Sequence, residues 1–275
     1  MLKSAGITAS KLNFAFFGFP VHGEDDQTTV LDALPATALG STPFRCGNDM
    51  VCGWAGSLGG ADGINVVAGT GSISYGEYQA ATARCGGWGE LFSDEGSAFW
   101  IARSGFTLFS RMSDGRAPKG PLYDLFREKL DDRPDLELTA WVLAELALGR
   151  SKIAALAKLV HAAAARGDPQ AKQIFIFAAQ ELADLVMATR RTLGVPVDIT
   201  LPVSYSGGVF GIGTMVTDPF QAALTTSGAK YALTVPRFSP VIGAALYAAK
   251  LAKLPLSIAA QQNLQRHNSA HATAD

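Results

Sequence analysis

Short apolar blocks bounded by glycine alternate along this chain with longer stretches whose apolar residues recur at helical spacing. Leu12 to Gly18 reads as a buried strand, and Ile64 to Ala68, with two adjacent valines, as another. Gly69-Thr70-Gly71-Ser72 closes that second block, and the run containing Tyr75 after it predicts a hairpin. Thr28 to Leu34 predicts a short helix, Pro35 to Phe44 a loop, and Met50 to Leu58 a helix whose small residues let it pack closely on a neighbour. Asp49 falls in the first turn of that helix. Ala5-Gly6-Ile7 reads as the end of a helix stopped by a left-handed Gly6.

Beyond residue 95 the period becomes mostly helical. Glu95 to Arg111 predicts a helix capped by Ser93 or Asp94, with acid in its first turn as the helix dipole favours. Residues 121–195 read as helices, including the alanine-rich Ile153 to Ala165, where His161 reads as a surface or core filler. Asp168-Pro169 supplies an N-cap and a first-position proline, and Gly194 closes the helix that follows. Asp198 to Phe210 predicts a strand ending in Gly207-Gly208, then a helix around Thr214 to Thr225. Such strand–turn–helix units bind ligands beyond the carboxyl ends of strands. Tyr231 to Val235 reads as a strand, Ser239-Pro240 opens another helix, and the polar tail 257–275 reads as disordered.

Composition narrows the class. With 275 residues, 48% hydrophobic, 17% charged and 29 glycines, the chain fits a Gly-rich α/β protein of one large or two smaller domains. A net charge of −1 with no basic run removes the electrostatic case for nucleic acid or an anionic membrane. No apolar stretch approaches the roughly 20 residues that span a bilayer, and Phe14 to Phe17 lacks the flanks of a secretory signal. Cys46, Cys52 and Cys85 form no CxxC pair, so reduced thiols in a cytoplasmic protein are expected.

Two stretches suggest chemistry. Glycines at 69 and 71 let backbone N–H groups come close to a phosphate, although an ordinary hairpin turn uses the same letters. Gly86-Gly87-Trp88-Gly89 suits neither helix nor strand, and makes a close-approach loop with one aromatic wall. Taken together, Asn48-Asp49, GTGS at 69–72, GGWG at 86–89, Asp94-Glu95-Gly96-Ser97 and Gly207-Gly208-Val209-Phe210 resemble one family in its own order. They are similar to N-acetylglucosamine kinases of the BadF/BadG/BcrA/BcrD ATPase family, over about residues 5–252. The resemblance implies an α/β, two-lobed ribonuclease H-like actin/hexokinase ATPase fold. Its lobes would be 1–62, the remainder of an incomplete N-terminal lobe, and 63–256, holding the ATP and sugar cleft.

The same resemblance implies ATP-dependent phosphorylation of an amino sugar, with Mg²⁺, in a cytoplasmic homodimer. Asp49 would be the general base, or alternatively only a helix cap. Thr70 and Gly71 would meet the ATP phosphates, and Gly207 and Gly208 the adenosine. Asn48, Ser72, Ile73, Gly87, Trp88, Gly89, Asp94 and Glu95 would face the sugar, Glu95 alternatively capping its helix. Two features depart from the family pattern: no Asp-Gly-Gly-Gly-Thr phosphate loop precedes residue 20, and Ser93 replaces the usual glycine. The first departure leads to the expectation of an N-terminally shortened chain with weak or absent activity. Rival expectations are a non-catalytic sugar sensor, and an ATP-dependent activator of an acyl-CoA dehydratase or reductase, which needs cysteines placed for an Fe–S cluster.

Overall fold

The computed structural model describes the backbone of residues 6–20, 22–23, 28–131 and 133–272, with side chains through 266. Two sheets organise it. The smaller pairs β1 (Ala15–Phe19) and β2 (Phe44–Asn48) in parallel, with Ala15 opposite Phe44 and Phe19 opposite Asn48. The larger runs in the order β5 (Ala81–Gly86), β4 (Ser72–Tyr78), β3 (Gly63–Ala68), β6 (Leu201–Ser206) and β7 (Tyr231–Thr234). Strands β3, β4 and β5 form an antiparallel meander, while β3, β6 and β7 are parallel. On central strand β3, Ile64, Val66 and Ala68 share one face and are fully buried in the large core, while Asn65 on the other face is buried as well. Its one polar member, Asn65, accepts a hydrogen bond from Ser204 Oγ across the sheet (2.9 Å).

Helix α1 (Thr28–Leu39) joins the two parallel strands and is longer than the sequence predicts. Pro35 lies inside it instead of ending it. A proline frees the carbonyl four residues back; here that is Leu31 O, which accepts the Cys46 thiol at 3.7 Å. Helix α2 (Asp49–Leu58) forms as expected, capped by Asn48, whose Oδ1 accepts from Met50 N (3.1 Å), and stopped by Gly59 at φ +66°. The close packing expected of α2 is met by α10 (Pro240–Leu251): a Cβ on Gly243 would lie 2.0 Å from Cys52 O.

Several boundaries differ from the sequence reading. Residues 84–86, read as loop, are part of β5. Helix α3 (Ala98–Ser113) begins three residues late, and its cap is Ser97, whose Oγ accepts from Trp100 N (3.2 Å). The reason is the backbone just before it: Asp94 at φ +58° and Gly96 at φ +77° cannot belong to a right-handed helix. After α4 (Pro121–Lys129) and α5 (Leu138–Ala147), the expected single helix over 153–165 splits into α6 (Arg150–Ala155) and α7 (Ala157–Ala165). Asp168 caps α8 (Pro169–Thr192) as expected, Oδ1 accepting from Gln170 N and Ala171 N. Its Oδ2 accepts from Leu122 N (3.1 Å), tying α4 to α8. Helix α9 (Thr214–Thr226) follows β6.

The tail expected to be disordered instead carries α11 (Ile258–Ala272). Alanine-rich sequence favours helix, and Ser257 Oγ caps it by accepting from Ala260 N (3.2 Å). Residues 273–275, and the residues before Gly6 read as a helix end, lie outside the described ones; Gly6 itself has φ +63°. Among the described residues no helix is long and apolar enough to cross a membrane.

Two cores result. The large one joins the faces of the five-stranded sheet to α3, α4, α6, α7, α8 and α9, with Phe109, Phe126, Phe175 and Phe220 at its centre. The small one gathers Phe16, Val51, Cys52, Trp54, Ala55, Leu58, Tyr75 and Ala248. Helix α10, assigned by the expected lobe boundary to 63–256, therefore packs with the first 62 residues.

Candidate active site

Three of the singled-out motifs follow the carboxyl ends of strands: Asn48-Asp49 after β2, Gly69 to Gly71 after β3, and Gly207-Gly208 after β6. Parallel pairing of β3 with β6 brings the last two motifs together. A Cβ on Gly207, at φ +97°, would lie 2.3 Å from Ala68 O, and Val209 N donates to that same oxygen (3.0 Å). Only glycine permits this approach. Helix α2 runs back along β3, since Leu58 Cδ1 abuts Gly63 and Gly53 abuts Asn65 Nδ2. The start of α2, with exposed Asp49, therefore lies toward the end of β3 that carries the glycine turn.

The turn is held from one side. Ala98 N donates to Gly69 O (2.9 Å) and Phe99 N to Thr70 O (3.3 Å), so two carbonyls of the turn satisfy the first N–H groups of α3. In a trans peptide the N–H points opposite to its C=O. The N–H groups of Thr70 and Gly71 are thereby turned away from α3. Gly69 and Gly208 wall one cavity of about 550 Å³. Ala98, Ile101, Ala154, Ala155, Ala157, Val209 and Ile212 make it mostly apolar, and Lys158 and His161 are its polar side chains. His161 packs edge-on against Phe175, with centroids 6.0 Å apart.

The second half of the constellation is the loop between β5 and α3. Gly87 is pinned by Arg84, whose Nη2 donates to its carbonyl (2.7 Å), and rests on Ile73. Trp88 is 74% exposed, and Gly89 at φ +93° turns the chain after it. Asp94 folds underneath the glycine turn: Oδ1 accepts from Ser72 N (3.3 Å), and a Cβ on Gly71 would lie 2.7 Å from Oδ2. Ser72 is buried, its hydroxyl donating to Glu95 O (2.6 Å), and Glu95 Oε2 accepts from Ser93 Oγ (3.1 Å). These bonds lash the loop to β4.

Charge in this region is uneven. Burial pushes the Asp94 carboxyl above its usual range, against the opposing pull of the Ser72 N–H and of Arg150. Glu90 is held below its usual range by its own backbone N–H and by Arg150. Glu181 is raised by burial and by the neighbouring Glu95 and Asp184. Burial, with Asp49 adding repulsion, pushes the Cys52 thiol up to about 11, and burial does the same at Cys46. Neutral buried thiols of this kind are poor metal ligands. Among the described residues, no group of three or more His, Cys, Asp or Glu could hold a metal ion.

A model of the BadF/BadG/BcrA/BcrD ATPase family matches residues 1–248. The chain belongs to that family. It is 28% identical over 230 residues to N-acetyl-D-glucosamine kinase of Dictyostelium discoideum, a match covering 83% of this chain and 72% of that protein. It is likewise 28% identical over 206 residues to the N-acetylmuramic acid/N-acetylglucosamine kinase of Clostridium acetobutylicum, covering 73% of this chain but only 65% of the relative, just under two thirds. Among solved structures, a candidate N-acetylglucosamine kinase from Chromobacterium violaceum superposes with a TM-score of 0.65 at 26% identity, over 88% of this chain and 79% of that one. The fold of this BadF/BadG/BcrA/BcrD family member is the actin/hexokinase-type α/β ATPase fold expected from its motifs.

Sequence reasoning missed part of the cavity of this ATPase-family chain. His161, read as filler, and Lys158 both line it. Ala154, Ala157, Lys158 and His161 fall at helical spacing, so one face carries all four across the α6–α7 junction. That spacing was readable. What concealed it was the alanine context, which describes close packing and a pocket wall equally well.

Proposed function

We propose that this protein transfers a phosphoryl group from ATP to a hydroxyl of an amino sugar of the N-acetylglucosamine type. The observation that carries the reading is the convergence of two glycine turns, distant in sequence, on one apolar cavity of about 550 Å³. Membership in an ATPase family and the names of the relatives support it. An apolar cavity walled largely by alanines suits adenosine. Gly208 leaves room beside it, since a Cβ there would meet nothing within 4 Å, and the N–H groups of Thr70 and Gly71, turned away from α3, are the candidate phosphate donors.

In this reading Asp49 takes the proton from the attacking sugar hydroxyl. It is suited to that task by its exposure at the start of α2, on the turn side of β3. Asn48 fixes the cap that orients it. Trp88 offers an indole face to the C–H surface of the ring, flanked by Gly87, Gly89 and Ile73, while Asp94 and Glu95 accept bonds from sugar hydroxyls. Ser72 serves by holding the loop rather than by offering its hydroxyl, which Glu95 O already engages. Mg²⁺, when bound, would neutralise the phosphates. Catalysis here is chiefly positioning and electrostatic stabilisation.

Purified protein incubated with ATP and Mg²⁺ is expected to form ADP only when N-acetylglucosamine is present. A weak sugar-dependent rate is compatible with the absence of an Asp-Gly-Gly-Gly-Thr loop, whereas ADP formation that ignores the sugar contradicts the proposal.

A further inference from the structure

Helix α6 touches both halves of the site. Its first residue, Arg150, reaches the sugar-side loop: Nη1 lies 3.1 Å from Glu90 Oε2 and 3.8 Å from Asp94 Oδ2. One turn later, Ala154 and Ala155 form part of the cavity wall. Arg150 is half exposed, yet the Asp94 side chain it approaches is only 5% exposed and is wedged against Gly71 and Ser72 N on its other flank. The carboxylate of Asp94 thus sits between the glycine turn and the guanidinium. Gly149 at φ +116°, just before Arg150, separates α6 from α5.

We infer that Arg150 is a positioning residue that couples the two ligands: through α6 it links occupancy of the nucleotide cavity to the placement of the Glu90–Asp94 segment that receives the sugar. This rests on the nucleotide and sugar assignments proposed above. A ligand filling the cavity presses on Ala154 and Ala155 and fixes α6. Arg150 is then held where it bonds Glu90 and attracts Asp94, and the loop is ordered before the sugar arrives. Coupling of this kind is reciprocal, so sugar must strengthen nucleotide binding by the same factor. An ion pair this exposed supports a modest effect, about fivefold in sugar affinity.

Titration calorimetry with N-acetylglucosamine, in the absence and presence of saturating ADP, tests the inference. Wild-type protein is expected to bind the sugar about fivefold more tightly with ADP present. Arg150→Ala should reduce that ratio to about one, with ADP affinity in the absence of sugar within about twofold of wild type. Arg150→Lys should keep part of the ratio, and Glu90→Gln should lose part of it. A merely structural arginine would lower melting temperature and ADP affinity together. An unchanged ratio in Arg150→Ala overturns the coupling alone; a wild type that binds ADP but no sugar overturns the sugar assignment and the coupling with it.

Discussion

The two cores of this chain differ in what binds them. The large core is apolar and deep: Phe126 touches Phe106 and Phe109, and Phe175 lies against α7 beneath His161. Among the described residues the small core holds eight that are buried, one of which, Tyr75, lies on β4 of the five-stranded sheet; polar ties add to that packing. Trp54 Nε1 donates to Gly63 O (3.0 Å), Arg237 N to Ser57 O (3.0 Å) and Phe238 N to Gly56 O (3.1 Å). Buried Glu77 on β4 accepts from Tyr75 OH (3.0 Å) and from Lys250 Nζ (2.6 Å) on α10. The cavity is built on the first core, whereas Asp49 rides on the second. The contrast sets a cavity wall within one packed core and the candidate carboxylate on the first turn of a helix packed in the other.

Substitutions in each core sharpen this contrast. Phe126→Ala is expected to cost about 3–5 kcal/mol and to lower the urea midpoint of the whole molecule. Trp54→Ala, at a site equally buried, should cost a similar amount but release α2 and α10 first, read as early hydrogen exchange there while α8 stays protected. Simultaneous loss of protection in α2 and α8 would erase the distinction between the cores. Next in size, Gly207→Ala meets the Ala68 carbonyl at a left-handed φ, and should lose roughly 3 kcal/mol. Gly208→Ala, one residue on and facing open space, should stay within about 0.5 kcal/mol. Comparable losses at both positions would contradict the close β3–β6 approach.

Smaller effects probe the ties and the loop. Lys250→Met leaves the Glu77 carboxylate without its ammonium partner on α10 and should cost about 1–3 kcal/mol, most of it recovered in the double variant with Glu77→Gln. Smallest is the pH term at Asp94. Burial holds its carboxyl above the usual range, so the folded state keeps a proton that the unfolded chain has already released. Stability from this group is complete below the unfolded value and is lost as pH rises through the folded one. Urea midpoints measured between about pH 4 and 7 should therefore fall less steeply in Asp94→Asn than in wild type; an identical slope would contradict the assignment.

Much of this was legible in the residues themselves. The Ile64–Ala68 run, its glycine turn, the Asp168-Pro169 cap and the small-residue face of α2 each act through local sterics or local hydrogen bonds, which sequence states directly. What was not legible depended on distant partners. Pro35 continues α1 because Cys46, on another element, takes up the carbonyl it frees. Ser97 displaces Asp94 as the cap of α3 because Asp94 is drawn under the turn by Ser72 N. His161 became a cavity residue only when β6 and its glycines folded opposite α7.

Asp49→Asn offers the most direct test of the whole account. The substitution keeps the side chain's size and the Asn48 cap while removing a first-turn carboxylate, so melting temperature should fall only slightly and ADP affinity should match wild type. Sugar-dependent ADP formation should fall by a factor of about 100 or more. Turnover equal to wild type would show that Asp49 takes no proton and that the cleft does not work as described.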